Sequence, residues 1–209
     1  MPKKIIIDTD PGIDDAMAIL FALGVPGLEV VGLTTIFGNV ETALATQNAL
    51  HLLEFAGVPQ IPVAQGATRP LSIPFRGPAA FVHGVDGLGE TAQAVPTTKA
   101  VNQSAAQFMV EMVMAHPGEI TLVPIGPLTN LALALMLEPR IVQQVAEVVI
   151  MGGAATVNGN VNPVAEANIH NDPHAADLVF TAGWPITMVG LDVTTKVMMD
   201  EPYLASLCT

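Results

Sequence analysis

The sequence predicts an α/β protein built on an open, mostly parallel, doubly wound sheet. Three observations carry that expectation. Short apolar runs bounded by turn residues alternate with longer helix-forming segments, the pattern of successive βαβ units. The run Asp8-Thr9-Asp10-Pro11-Gly12-Ile13-Asp14-Asp15 sets four carboxylates directly behind the first apolar run. Polar side chains then recur just after the later strands, at the edge where open α/β sheets bind ligands.

Ile5-Ile6-Ile7 reads as a short buried strand, and Pro11-Gly12 forces the turn that follows it. Ala16 to Leu23 is apolar and rich in helix formers. Leu28 to Thr35 is the second strand, Thr42 to Ala56 a helix, and Ile61 to Ala64 a short third strand. Gln65 to Lys99 is rich in Pro and Gly with little periodicity, which predicts an excursion or lid outside the core. Ser104 N-caps a helix that runs to Ala115. Ile120 to Pro124 is a strand, Gly126-Pro127 a turn, and Leu128 to Leu137 a helix. Val148 to Met151 is a strand ending in Gly152-Gly153. Asp172-Pro173 starts a helix to Ala182, and Ile186 to Gly190 is a strand that leads to Asp192. No internal repeat, low-complexity tract or interdomain linker interrupts the order, so the expectation is one Rossmann-like sheet.

Composition sets limits. With 209 residues the chain is long enough for one well-buried α/β core. Hydrophobic residues make up 51% and charged residues 12%, so much of the surface must be uncharged or covered in an oligomer. Nineteen acids against seven Lys and Arg give a net charge of −12, which disfavours nucleic acid and anionic membranes as partners. Cys208 is the lone cysteine, so no intrachain disulfide forms and a reducing cytoplasm is the expected compartment. The apolar run after Pro2-Lys3-Lys4 is too short for a signal peptide, and no stretch has transmembrane length. The ten methionines read as core filling, except Met151.

The loops that meet at the strand ends carry the chemistry. The first strand delivers Asp8, Asp10, Asp14 and Asp15. The second delivers Thr34, Thr35 and Asn39, and the excursion His83-Gly84-Val85-Asp86-Gly87. The later strands deliver the Ile125 carbonyl and Asn130, then Asn158, Asn160, Asn162, Glu166 and Asn168, and finally Asp192. Carboxylate, amide and carbonyl oxygens match the ligand chemistry of a hard cation such as calcium. The surplus amides suit a polyhydroxylated ligand. Helix capping by Asp14 and Asp15 is the plainer reading, but it accounts for neither Asp8 nor Asp10.

These segments closely resemble the inosine-uridine-type nucleoside hydrolase family. DTDPGIDDA matches its N-terminal fingerprint, and TTIFGNV, HGVDG, LVPIGPLTN, VVIMGGA, GNVNPVAEANI, DPHAA and GLDVT follow in order. The resemblance implies hydrolysis of the N-glycosidic bond of a ribonucleoside to ribose and a free base, in nucleoside salvage. It implies a calcium ion held by Asp10, Asp15 and the Ile125 carbonyl, with Asp10 also the general base on the attacking water. Asp14 and Asn39 would bind the 2′-hydroxyl side, Asn160, Glu166 and Asn168 the 5′- and 3′-hydroxyls, and Met151 would line the sugar. His83 would contact the leaving base.

The sequence departs from the family in three places. Ala167 stands where relatives usually have Phe, and Thr195 where several have His or Asn. The family pattern also continues past Thr209 to a His-Asp pair, the Asp a further calcium ligand and the His a leaving-base contact. Residues 1–209 are therefore expected to form a nucleoside-hydrolase-like domain without the family's C-terminal portion. That predicts exposed apolar surface, a homo-oligomer, and either weak turnover or calcium and sugar binding alone. A haloacid-dehalogenase-type phosphotransferase also carries Asp-x-Asp after its first strand. It needs Gly-Thr next and a distant Lys, whereas Pro11-Gly12 follows here and Lys is scarce.

Overall fold

A computed structural model describes residues 1–207; Cys208, and with it the disulfide expectation, lies outside the described residues. Strands β1 (Lys3–Thr9), β2 (Leu28–Thr35), β3 (Val63–Gln65), β4 (Ile120–Pro124), β5 (Glu147–Met151) and β6 (Ile186–Val189) form one sheet in the order β3-β2-β1-β4-β5-β6. Every strand pairing in it is parallel, as expected of an open, mostly parallel doubly wound sheet. The order reverses between β1 and β4, which makes the cleft above their C-terminal ends the topological switch point.

Side-chain alternation along β1 decides which residue meets which helix layer. Ile5 and Ile7 enter the core beneath α1 (Ile13–Gly24) and α2 (Thr42–Phe55). Ile6 points the other way, into the core shared with α4 (Ala105–Ala115), α5 (Thr129–Leu137) and α8 (Pro173–Thr181). Burial on both faces explains why Ile5–Ile7 of β1 form a continuous apolar run with no polar alternation. Continued two residues further, the same parity sends Asp8 toward α5 and Thr9 toward α1.

The excursion contains one short helix, α3 (Ala80–His83). Three more brief helices had no periodic signal: α6 (Ile141–Gln144), α7 (Ala167–Asn171) and α9 (Leu191–Thr194). Each is too short for an amphipathic repeat to register. The last helix is α10 (Glu201–Leu207). Core filling by methionine is corrected: Met109 is buried, but Met1, Met17, Met136, Met188, Met198 and Met199 are exposed. Among the described residues, no helix is long and apolar enough to cross a membrane.

Candidate active site

Thr9, turned toward α1, donates its hydroxyl to Asp15 Oδ1 at 2.6 Å. Gly12 N–H donates to Asp15 Oδ2 at 3.1 Å, so this carboxylate also caps the helix it belongs to. Asn39, from the loop after β2, adds its side-chain amide to the same oxygen at 3.0 Å. Its backbone N–H donates to Asp10 Oδ2 at 2.6 Å. Asp10 Oδ1 is buried and has no hydrogen-bond partner among the described residues. The Asp10 carboxylate lies in a cradle between two glycines, since a methyl group added at Gly38 or at Gly126 would overlap it.

Two acids this close, taken from water, hold their protons more tightly. Burial pushes Asp10 well above the ordinary carboxylate range, and the charge of Asp15 adds to it. Burial likewise raises Asp15 to about 6, with the Asp14 charge next in importance. A divalent cation would reverse that balance, because it neutralises both carboxylates and uses the unpaired oxygen.

The loops after β4 and β5 supply the facing wall. Ile125 N–H donates to the Asp8 carbonyl at 2.8 Å, which holds the Ile125 peptide against β1. Its carbonyl accepts from Asn168 Nδ2 at 2.9 Å. The same amide nitrogen lies 3.1 Å from the Met151 carbonyl and 3.3 Å from its sulfur. Glu166 N-caps α7: Oε1 accepts from Asn168 N–H at 2.9 Å, and Oε2 from Gly153 N–H at 2.9 Å and Ile169 N–H at 3.2 Å. Asn160 Oδ1 accepts from Ala167 N–H at 2.9 Å on the exposed rim.

Asp14 stands on the rim with its side chain 80% exposed, 3.8 Å from His83 Nδ1. His83 is buried and accepts the Ile13 N–H at 3.3 Å through that nitrogen. It closes over Gly12, where a Cβ would come within 2.7 Å of His83 Nδ1 and 2.8 Å of Asn39 Nδ2. The structure thus gathers the expected residues into two groups, Asp10, Asp15, Asn39, Asp14 and His83 in one, Ile125, Met151, Asn160, Glu166 and Asn168 in the other. Gly126 joins them, next to both Asp10 Oδ1 and Ile125.

Among the described residues no three His, Cys, Asp or Glu side chains cluster as a metal site. The oxygens that could hold a hard cation in this cleft are those of Asp10, Asp15 and the Ile125 carbonyl, and among the described residues the buried Asp10 Oδ1 has no hydrogen-bond partner. An open, largely apolar groove of about 480 Å³ runs beside Glu166, between Gly153, Ile169, Phe180 and Met188. Asp192 does not line the cleft as a free acid: it accepts from Ala155 N–H, Thr156 N–H and the Thr156 hydroxyl, which fastens the loop after β5. Sequence reasoning missed the roles of Thr9, Thr34 and Gly126, and placed Asn130 at the cleft without a task. Only strand register reveals those partners.

Fold and site together define an α/β protein with an oxygen-rich, acidic cleft at the switch point of a parallel sheet. The chain belongs to the inosine-uridine preferring nucleoside hydrolase family, whose model matches residues 5–209. It is 56% identical over 208 residues to a probable uridine nucleosidase 2 of Arabidopsis thaliana, a match covering 98% of this chain and 65% of that protein. A solved plant nucleoside hydrolase, PpNRh1, superposes with a TM-score of 0.92 at 54% identity, over 94% of this chain and 62% of that one. A purine-preferring ribonucleoside hydrolase from Gardnerella vaginalis gives 0.92 at 40% identity, over 94% and 63%. The chain therefore spans less than two thirds of the length of each of these relatives.

Proposed function

We propose that this chain hydrolyses the N-glycosidic bond of ribonucleosides, releasing ribose and a free nucleobase. The carrying observation is Asp10: a buried carboxylate beside Asp15, with one oxygen unpaired among the described residues, at the switch point of a parallel sheet. Asp10, Asp15 and the Ile125 carbonyl would hold calcium. Bound there, the ion would supply positive charge that neutralises the acid pair and lowers the pKa of water in the cleft.

Asp10 takes a proton from the attacking water, whose oxygen bonds to the anomeric carbon as the C–N bond breaks with its electron pair going to the base, which takes up a proton from solvent. The developing positive charge on the sugar faces the remaining carboxylates of the cleft, Asp14 and Glu166, which lowers the barrier. Asp14 is free on the rim to accept from a sugar hydroxyl. Asn39 commits one amide N–H to Asp15, Asn168 turns its amide nitrogen to the Ile125 and Met151 carbonyls, and their remaining amide atoms are offered to ribose. Glu166 and Asn160 shape the 5′ side through the N-terminus of α7, and Met151 lines the sugar. His83, with Nδ1 taken by Ile13 N–H, directs its other nitrogen to the leaving base.

The same reading includes assembly as a homo-oligomer, a cytoplasmic location and a part in nucleoside salvage. The plant relatives' names favour uridine among the substrates. The test is incubation of the full chain with inosine and with uridine, with calcium and with chelator. Calcium-dependent release of reducing sugar is expected. Calcium binding with no sugar released from either nucleoside would replace this reading by binding without turnover.

A further inference from the structure

Below the acid pair lies a polar cluster to which no role has been assigned. Asp8 is 1% exposed and Asn130 fully buried. Asp8 Oδ1 accepts from Thr34 Oγ1 at 2.6 Å and from Asn130 Nδ2 at 2.8 Å. The same Asn130 nitrogen reaches the Thr35 carbonyl at 2.9 Å, and Asn130 Oδ1 accepts Ala67 N–H at 2.9 Å. The main-chain carbonyl of Asp8 receives Ile125 N–H at 2.8 Å. One residue of β1 is thus fastened to the ends of β2 and β4, and through Asn130 to the root of the excursion. Gly66 shows how tight this junction is, because a methyl group there would overlap the Asn130 amide.

These fastenings lie directly under the loops that carry the candidate cation donors. The β2 end continues into Asn39, which holds Asp10 and Asp15. The β4 end continues into Ile125 and Gly126, and Asn130 anchors the far side of that loop as the second residue of α5. We propose that Asp8, Thr34 and Asn130 are positioning residues, a buried clamp that sets the spacing between Asp10, Asp15 and the Ile125 carbonyl and so the affinity of the cleft for a divalent cation. The inference rests on the calcium-dependent reading above. Its physical basis is that donor sets tolerate displacements of only about 0.5 Å before binding suffers, and that residues orienting ligands contribute about 10–100-fold to metal affinity.

Calcium titration calorimetry of the full chain tests it, with terbium luminescence as a second readout and far-UV circular dichroism and melting as controls. Asn130→Ala should weaken calcium binding about 10-fold or more. Thr34→Val removes one donor to Asp8 at nearly constant shape and should weaken it too, while Thr34→Ser should restore the parent affinity. If Asn130→Ala fails to fold, the Thr34 pair carries the comparison. Parent-like calcium affinity in Thr34→Val and in any folded Asn130→Ala, with only the melting temperature reduced, would overturn the clamp and leave the proposed function standing. A parent chain that binds no calcium would overturn both.

Discussion

The backbone N–H of Asn39 donates to one oxygen of Asp10, at 2.6 Å, and the other oxygen stays buried without a partner among the described residues. The contact therefore orients the carboxylate without saturating it. Asp15, by contrast, accepts three hydrogen bonds. The two acids differ in what a mutation removes.

Asp10→Asn keeps the acceptor for Asn39 and can place its amide nitrogen at the unpaired position. Without calcium it should melt at or above the parent temperature, since it removes a buried charge, yet bind calcium at least 10-fold more weakly and release no measurable ribose. Asp15→Asn sets a donor against Thr9, Gly12 or Asn39 and should also lose about 1–3 kcal/mol of stability. Equal melting temperatures in the two variants would contradict the hydrogen-bond assignment at Asp15.

Gly126→Ala tests the cradle. The added methyl group overlaps Asp10 and comes within 2.8 Å of Ile36 Cγ2, so the carboxylate must turn. Loss of calcium binding in a folded variant is expected, measured by calorimetry. Parent-like affinity would mean that Asp10 binds in another rotamer.

The acids make stability depend on pH. Burial raises Asp8 to about 7 and Asp15 to about 6, with Asp10 raised as well, all above the ordinary carboxylate range. The folded state then binds more protons than the unfolded state between those limits. Stability is fullest below about pH 4 as far as these groups decide it, and is lost as pH rises through 6 to 7. The calcium-free chain should thus melt several degrees lower at about pH 8 than at about pH 5. Added calcium should restore the loss. A calcium-free melting temperature that rises over this range would refute the assignment.

Sugar recognition gives a fourth test. If Asp14 and the cation hold the 2′-hydroxyl, 2′-deoxyinosine leaves polar groups unpaired, and turnover should fall by roughly 10⁴-fold. Comparable kcat/KM for inosine and 2′-deoxyinosine would place the 2′-hydroxyl outside the recognition set.

Much of this was legible in the residues. The runs at Ile5–Ile7, Leu28–Thr35, Ile120–Pro124 and Val148–Met151 became strands because apolar residues buried on both faces need no alternation. Family resemblance brought Asp10, Asp15, Asn39 and Ile125 to one cleft. What one residue does to another was less visible. Asp8 and Asp10 look alike in sequence, yet strand parity sends Asp8 into the core beside α5. Glu166 reads as a sugar ligand, but its carboxylate spans three backbone N–H groups at the start of α7, a helix of five residues with no periodic signal. Such contacts depend on register and on brief turns, which sequence pattern encodes weakly.

The pairing of β1 with β4 also sets a timetable. Asp8 and Asn130 lie 122 positions apart, so at about 5–20 residues per second the ribosome needs roughly 6–24 s to supply the partner. Until then the leading acids emerge without their scaffold, and parallel pairing over such distances is slow. If the cleft holds calcium as proposed, capture of the ion would belong to the end of folding, and its appearance in a refolding trace should coincide with protection of the β4 amides from hydrogen exchange.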